Sequence, residues 1–123
     1  MPISDAESVV MDVLWRASAP MSAEDVVAAL ADTTEWQEPT IKTLLNRLLG
    51  KRAISAVREG KRYLYSAKLK REDYVHIESK SLLDRLFGGR VAPLVAHFSE
   101  TGKLSKKDVA ELKRLIEGLD DDA

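Results

Sequence analysis

Ile41, Leu44, Leu45, Leu48 and Leu49 recur at the i, i+3, i+4, i+7, i+8 spacing of a helix buried along one side only. That spacing fixes what the other side must carry. At about 100° per residue, Thr40, Lys42, Thr43, Asn46 and Arg47 sweep around the outward face as one stripe of hydrogen-bond donors without an acid. Pro39 is favoured at a first helical position, and Gly50 stands where a left-handed residue would end the helix. A helix over residues 39–50 is predicted, with its donors held away from the core.

Charge singles out the same segment. The chain has a formal net charge of -1, yet Lys42, Arg47, Lys51, Arg52, Arg58, Lys61 and Arg62 are opposed between Pro39 and Tyr63 by Glu59 alone. Upstream the sign reverses, with Asp5, Glu7, Asp12, Glu24, Asp25, Asp32, Glu35 and Glu38 against Arg16. A local basic face on an acidic molecule points to a polyanion met in a defined geometry. The acidic first third is read as the solvent face of two helices.

The neighbouring elements have equally legible starts. Ser4 with Glu7, and Ser22 with Asp25, have capping-box spacing, so a first helix is expected from Ser4 to about Ala17 and a second from Ser22. Ala6, Val9, Val10, Val13 and Leu14 form the apolar stripe of the first, flanked by Trp15. Val26, Val27 and Leu30 form that of the second. After Gly50, Ile54–Arg58 and Arg62–Ser66 are rich in β-branched and aromatic residues and are joined through Glu59-Gly60-Lys61, which predicts a basic hairpin. Helical pattern returns from Lys70 to the breaker pair Gly88-Gly89. A short apolar segment follows from Pro93 to Phe98, and a last helix opens at Ser105 with Asp108 three residues on.

With 123 residues there is room for one small domain and an appended association element. There is no cysteine, so disulfides, thiolate zinc and thiol redox sensing are excluded. The acidic N-terminus does not read as a signal peptide, and no apolar run approaches the roughly 20 residues of a membrane span. A cytoplasmic address without membrane insertion is expected. No glycine-rich phosphate loop, nucleophile–histidine pair or cluster of metal-type ligands is found, so no enzyme activity, cofactor or metal is expected. Glu72 and His76 stand four apart but make no closed site.

These elements give a mainly α fold with a small β-hairpin wing: a winged helix-turn-helix over residues 1–69, followed by a helical dimerisation region over 70–123. In that layout the third helix enters the major groove of double-stranded DNA and the hairpin lies over the backbone. Thr40, Lys42, Thr43, Asn46 and Arg47 are the base-reading candidates, because Arg and Lys donate to guanine, Asn pairs with adenine and a threonine methyl packs on thymine. Lys51, Arg52, Arg58, Lys61 and Arg62 are assigned to phosphates and the wing. One short helix reads few bases, so a homodimer on a pseudo-palindrome is expected. Its interface is assigned to Tyr74, Leu82, Leu83, Leu86, Phe87, Val109, Leu112 and Ile116. Two rival functions share this layout: a winged helix that binds an acidic protein partner, and a regulator that senses a small ligand.

The chain also resembles the penicillinase repressor family, the BlaI/MecI/CopY group of winged-helix repressors. The resemblance rests on Val13-Leu14-Trp15, on the run from Thr40 to Leu48, and on Glu59-Gly60-Lys61 with Tyr63-Leu64-Tyr65-Ser66. In the second half it rests on Ser81 to Gly89, on Leu94 to Phe98, and on Leu104-Ser105. It implies a dimeric repressor of β-lactam-resistance or related stress and metal-response genes, acting on operators with TACA and TGTA half-sites. It further implies relief by proteolysis at the His97-Phe98 bond, triggered by a membrane sensor-transducer protease. The copper-responsive branch uses C-terminal cysteine pairs, which this chain lacks.

Overall fold

The computed structural model describes residues 2–122. Its elements run α1 (Asp5–Arg16), α2 (Ala23–Leu30), α3 (Glu38–Gly50), β1 (Ile54–Glu59), β2 (Arg62–Ala67), α4 (Arg71–Phe87), α5 (Val91–Glu100) and α6 (Lys106–Asp122). They divide into two compact units, Met1–Val75 and His76–Ala123, and the boundary falls inside α4.

In the first unit, α1 and α2 begin with the capping boxes read from the sequence. Ser4 Oγ accepts from the Glu7 amide and the Glu7 carboxylate accepts from the Ser4 amide, and Ser22 and Asp25 repeat the arrangement. Each box satisfies two backbone donors that a helix N-terminus otherwise leaves unpaired. Val10, Met11, Val26, Ile41, Leu45 and Leu48 are fully enclosed where α1, α2 and α3 meet, and Leu14, Leu30, Leu44, Ile54 and Tyr65 complete the core. Ala6, Val9 and Val13, expected to lie on the core stripe of α1, are only partly buried. The true stripe is rotated toward Glu7, Val10, Met11 and Leu14.

β1 and β2 pair antiparallel from Ile54↔Ala67 to Glu59↔Arg62, so Glu59 belongs to the ladder and the turn is Gly60-Lys61 alone. Gly60 takes the positive φ of 63° that a tight hairpin turn requires. The base of the hairpin is tied to the α1–α2 connection by reciprocal backbone bonds between Met21 and Tyr65, at 2.9 and 2.7 Å. Ala53 carbonyl accepts from the amides of Lys68 and Leu69, both at 2.9 Å. These bonds hold the wing beside α3.

The end of α3 departs from expectation. Gly50 remains helical, Lys51 caps the helix, and the left-handed residue is Arg52 at φ 61°. The amides of Arg52 and Ala53 bond to the carbonyls of Leu49 and Leu48, each at 3.0 Å. This is a Schellman closure, stabilised as Ala53 and Leu48 bury together. Burial of Ala53 decides the register over glycine's preference for that conformation.

The second unit contains α4 beyond Val75, then α5 and α6. Gly88 and Gly89, both at positive φ, end α4 as their sequence position indicates. Ser105 and Asp108 bond reciprocally at the start of α6. No residue of α5 is buried, none of α4 is, and Leu112 is the one described residue of α6 that is even half-buried.

Candidate nucleic-acid interface

α3 presents Thr40, Lys42, Thr43, Asn46 and Arg47 to solvent while Ile41, Leu44, Leu45 and Leu48 are sealed beneath them. Because the inner face is locked into the core, the outward positions have a defined placement before any partner arrives. Thr43 Oγ donates to the Pro39 carbonyl at 3.0 Å, which fixes its rotamer and leaves the methyl and oxygen lone pairs available. Asn46 and Arg47 form no side-chain hydrogen bond or ion pair among the described residues, so their full donor sets face outward.

The outward stripe is not free of acid. α3 opens one residue earlier than Pro39 predicts, and this brings Glu38 into the first turn, where its Oε1 lies 3.2 Å from Lys42 Nζ. Gln37 is the N-cap and supplies no side-chain bond, so the Glu38 charge also complements the helix N-terminus.

The wing brings Arg58, Lys61 and Arg62 to its outer end, all exposed. Arg58 Nε donates to the Gly60 carbonyl at 3.1 Å and its guanidinium lies 6.0 Å from the centre of the Tyr63 ring. Arg62 pairs with Glu59 at 3.5 Å across the turn. These are solvent-screened contacts that yield readily to a phosphate. Tyr65, two residues along from Tyr63, is buried at the base and supports the hairpin. A cavity between the starts of α2 and α3 and the wing is lined by Ser22, Glu24, Glu38, Lys42, Lys61, Arg62, Tyr63 and Tyr65. The elements expected to carry base and phosphate contacts are therefore adjacent in space.

The family model for the penicillinase repressor matches residues 3–118. The chain belongs to that family. It is 35% identical to the penicillinase repressor of Bacillus licheniformis, across 94% of this chain and 89% of the relative. The penicillinase repressor of Staphylococcus aureus is 32% identical across 93% and 90%. Among solved structures, the monomeric form of Bacillus licheniformis BlaI in complex with the blaP half-operator superposes with a TM-score of 0.51. That match has 36% identity and covers 60% of this chain and 89% of that one. The mainly helical winged-helix architecture is thus that of a known repressor family.

Against that family background, Lys51 is placed differently from the other cations of the segment. Assigned from sequence to phosphate contact, it is turned inward, with Nζ donating to the Glu7 carboxylate and, at 2.7 Å, to the Pro2 carbonyl. Glu7 is 1% exposed, and its Oε2 has no hydrogen-bond partner among the described residues. Burial opposes its charge, but the bonds from Lys51 and Ser4 outweigh burial and hold the carboxyl below its usual range. The pair joins the start of α1 to the end of α3 and so sets the pose of the outward helix. Sequence periodicity could not reveal it, since the partners lie 44 residues apart.

Trp15 supplies a second fixed point. Its indole N–H donates to the Leu69 carbonyl at 2.8 Å and its ring packs at 5.4 Å against Tyr74. Tyr74, expected at a dimer interface, is half-buried on Trp15 within the first unit. Leu82, Leu86, Val109 and Ile116 are exposed, while Leu83, Phe87 and Leu112 are half-buried. The His97 ring on α5 lies 6.2 Å from that of Phe87, at the end of α4, and 5.2 Å from that of Phe98. Among the described residues no helix is long and apolar enough to cross a membrane.

Proposed function

We propose that this chain is a homodimeric, sequence-reading transcriptional repressor that sets α3 into the major groove of operator DNA, with its wing on the adjacent backbone. The observation that carries this reading is the division of α3 into a sealed inner face and an outward face bearing Thr40, Lys42, Thr43, Asn46 and Arg47. Thr43, Asn46 and Arg47 supply the donors and the methyl that base edges require, and Lys61, Arg58 and Arg62 serve phosphates. The repressors of Bacillus licheniformis and Staphylococcus aureus support the regulatory role, as does the half-operator complex of BlaI. No reaction is assigned to any residue.

The dimer is supported by the apolar side chains that the second unit leaves in solvent, among them Leu82, Leu86, Val109, Leu115, Ile116 and Leu119. A helical unit with this much apolar surface uncovered finds a core by packing on a second copy. Two copies would place two recognition helices on TACA and TGTA half-sites. The genes controlled would be those of β-lactam resistance or a related stress or metal response. Relief would come from cleavage at His97-Phe98 by a membrane sensor-transducer protease. Both residues are exposed, but the bond lies within α5, so a protease must first unwind that helix.

The test is a binding titration at two salt concentrations on a TACA/TGTA palindrome and its scrambled counterpart. A preference of about 10³-fold or more for the palindrome is expected of a specific repressor. Equal affinities that fall together with salt would leave only non-specific phosphate binding and would overturn the proposal.

A further inference from the structure

Glu38 is the one acid on α3, and its position is unusual for a helix that approaches a polyanion. Its carboxylate and the Lys42 ammonium lie side by side one turn apart, with side chains 43% and 58% exposed. They line one cavity of about 280 Å³ together with Ser22 at the start of α2 and Lys61, Arg62 and Tyr63 of the wing. This is the N-terminal turn of the helix, the part that meets base edges when such a helix lies in the groove.

A carboxylate facing phosphates would only oppose binding. Facing base edges, it can accept a hydrogen bond from an exocyclic amino group. An ammonium and a carboxylate held together match the major-groove edge of a G·C pair, where guanine O6 and N7 accept and the cytosine N4 amino group donates alongside. We infer that Glu38 and Lys42 read one G·C pair as a unit, Lys42 donating to guanine and Glu38 accepting from cytosine N4. This rests on the DNA-reading function proposed above. Thymine in place of that cytosine would set its O4 acceptor against the carboxylate, so the pair selects by rejection as well as by contact. Glutamine at position 38 could turn its amide and donate to O4, and the rejection would be lost.

The TACA/TGTA probe contains a single G·C pair in each half-site, which makes the test direct. Wild-type protein and Glu38→Gln are titrated on the palindrome, on the palindrome with that pair changed to A·T, on palindromes changed at one A·T position, and on the scrambled duplex. The wild type is expected to prefer the G·C probe by about 10-fold or more over its A·T replacement. Glu38→Gln is expected to lose most of that preference while keeping wild-type ratios at the other positions, with a melting temperature within a few degrees of the wild type. Glu38→Ala, which can neither accept nor donate, is expected to lose it likewise. Equal tightening of the variants on every duplex, scrambled included, would show a general electrostatic brake and would overturn the inference. So would an unchanged ratio at the G·C pair. Wild-type protein that binds palindrome and scrambled duplex alike would overturn the DNA-reading function itself, and this inference with it.

Discussion

The two units spend their apolar residues in opposite ways. In the first, Ile41, Leu45 and Leu48 are completely enclosed, and each of α1, α2 and α3 has a face sealed against the other two. In the second, Leu86 and Leu115 are 64% and 66% exposed, and neither α4 nor α5 buries a single residue. The first unit is complete within one chain, whereas the second leaves its apolar side chains in solvent, as the proposed dimer requires. A reading head that must hold α3 in a fixed pose benefits from a self-contained core. In the proposed dimer, an element that sets the spacing between two such heads would gain by being completed only in the pair.

The sharpest way to break this contrast is to make the same substitution in both units. Leu45→Ala removes a fully enclosed side chain and is expected to cost about 2–5 kcal/mol. Both tryptophans, Trp15 and Trp36, pack in the first unit, so their fluorescence during denaturant melts reports on it. A loss below about 1 kcal/mol would mean that the core of the first unit is looser than its burial indicates.

Lys51→Met probes the bond that poses α3. It leaves the Glu7 carboxylate enclosed without a cation, at an expected cost of about 2 kcal/mol. That is less than the roughly 3–5 kcal/mol of a fully enclosed pair, because Lys51 keeps 18% of its surface in water. The pH dependence has a definite sign. In the wild type the Glu7 carboxyl titrates below its usual range, so its contribution is complete near neutrality and is lost as pH falls through its lowered folded value. In the variant, burial acts without Lys51, and Glu7 takes up a proton more readily. The gap between the two proteins should therefore narrow between about pH 5 and pH 3. A gap that stays constant over that range would remove the ion pair from the energetics.

The smallest effect belongs to Leu115→Ala, the counterpart of Leu45→Ala in the second unit. At 66% exposure the side chain has little to lose in a single chain, and the tryptophan-detected melt should shift by no more than about 0.5 kcal/mol. Dissociation of the proposed dimer, followed by dilution, should become easier. If the melt instead shifts as far as it does for Leu45→Ala, the difference between the units disappears.

Much of the first unit could be read from local pattern, because its determinants lie within one turn of each other. The capping boxes at Ser4 and Ser22, the stripe from Ile41 to Leu48 and the Gly60 turn all depend on residues three or four apart. Most of the remainder is set by distant partners. Glu7 reads as a capping acid, which it is, but only the fold shows that the same carboxylate receives Lys51. Met11 belongs to the core because α1 is rotated to bury Glu7 beside it. Arg52 takes the left-handed place expected of Gly50 because Ala53 must reach the core. Glu38 falls outside the helix that Pro39 predicts as its first residue, although proline is equally compatible with the second position. In the second unit the helices were legible from Gly88-Gly89 and from Ser105 with Asp108, but the surface they leave open is a property of the tertiary structure.

Sedimentation equilibrium of the whole chain over a wide concentration range, beside residues 1–75 alone and a Leu86→Asp variant, tests the division of labour between the units. The whole chain should sediment at twice its own mass, while the 1–75 fragment and Leu86→Asp should be folded monomers with native tryptophan fluorescence. A whole chain that stays monomeric and folded at every concentration, or a 1–75 fragment that is unfolded, would contradict it.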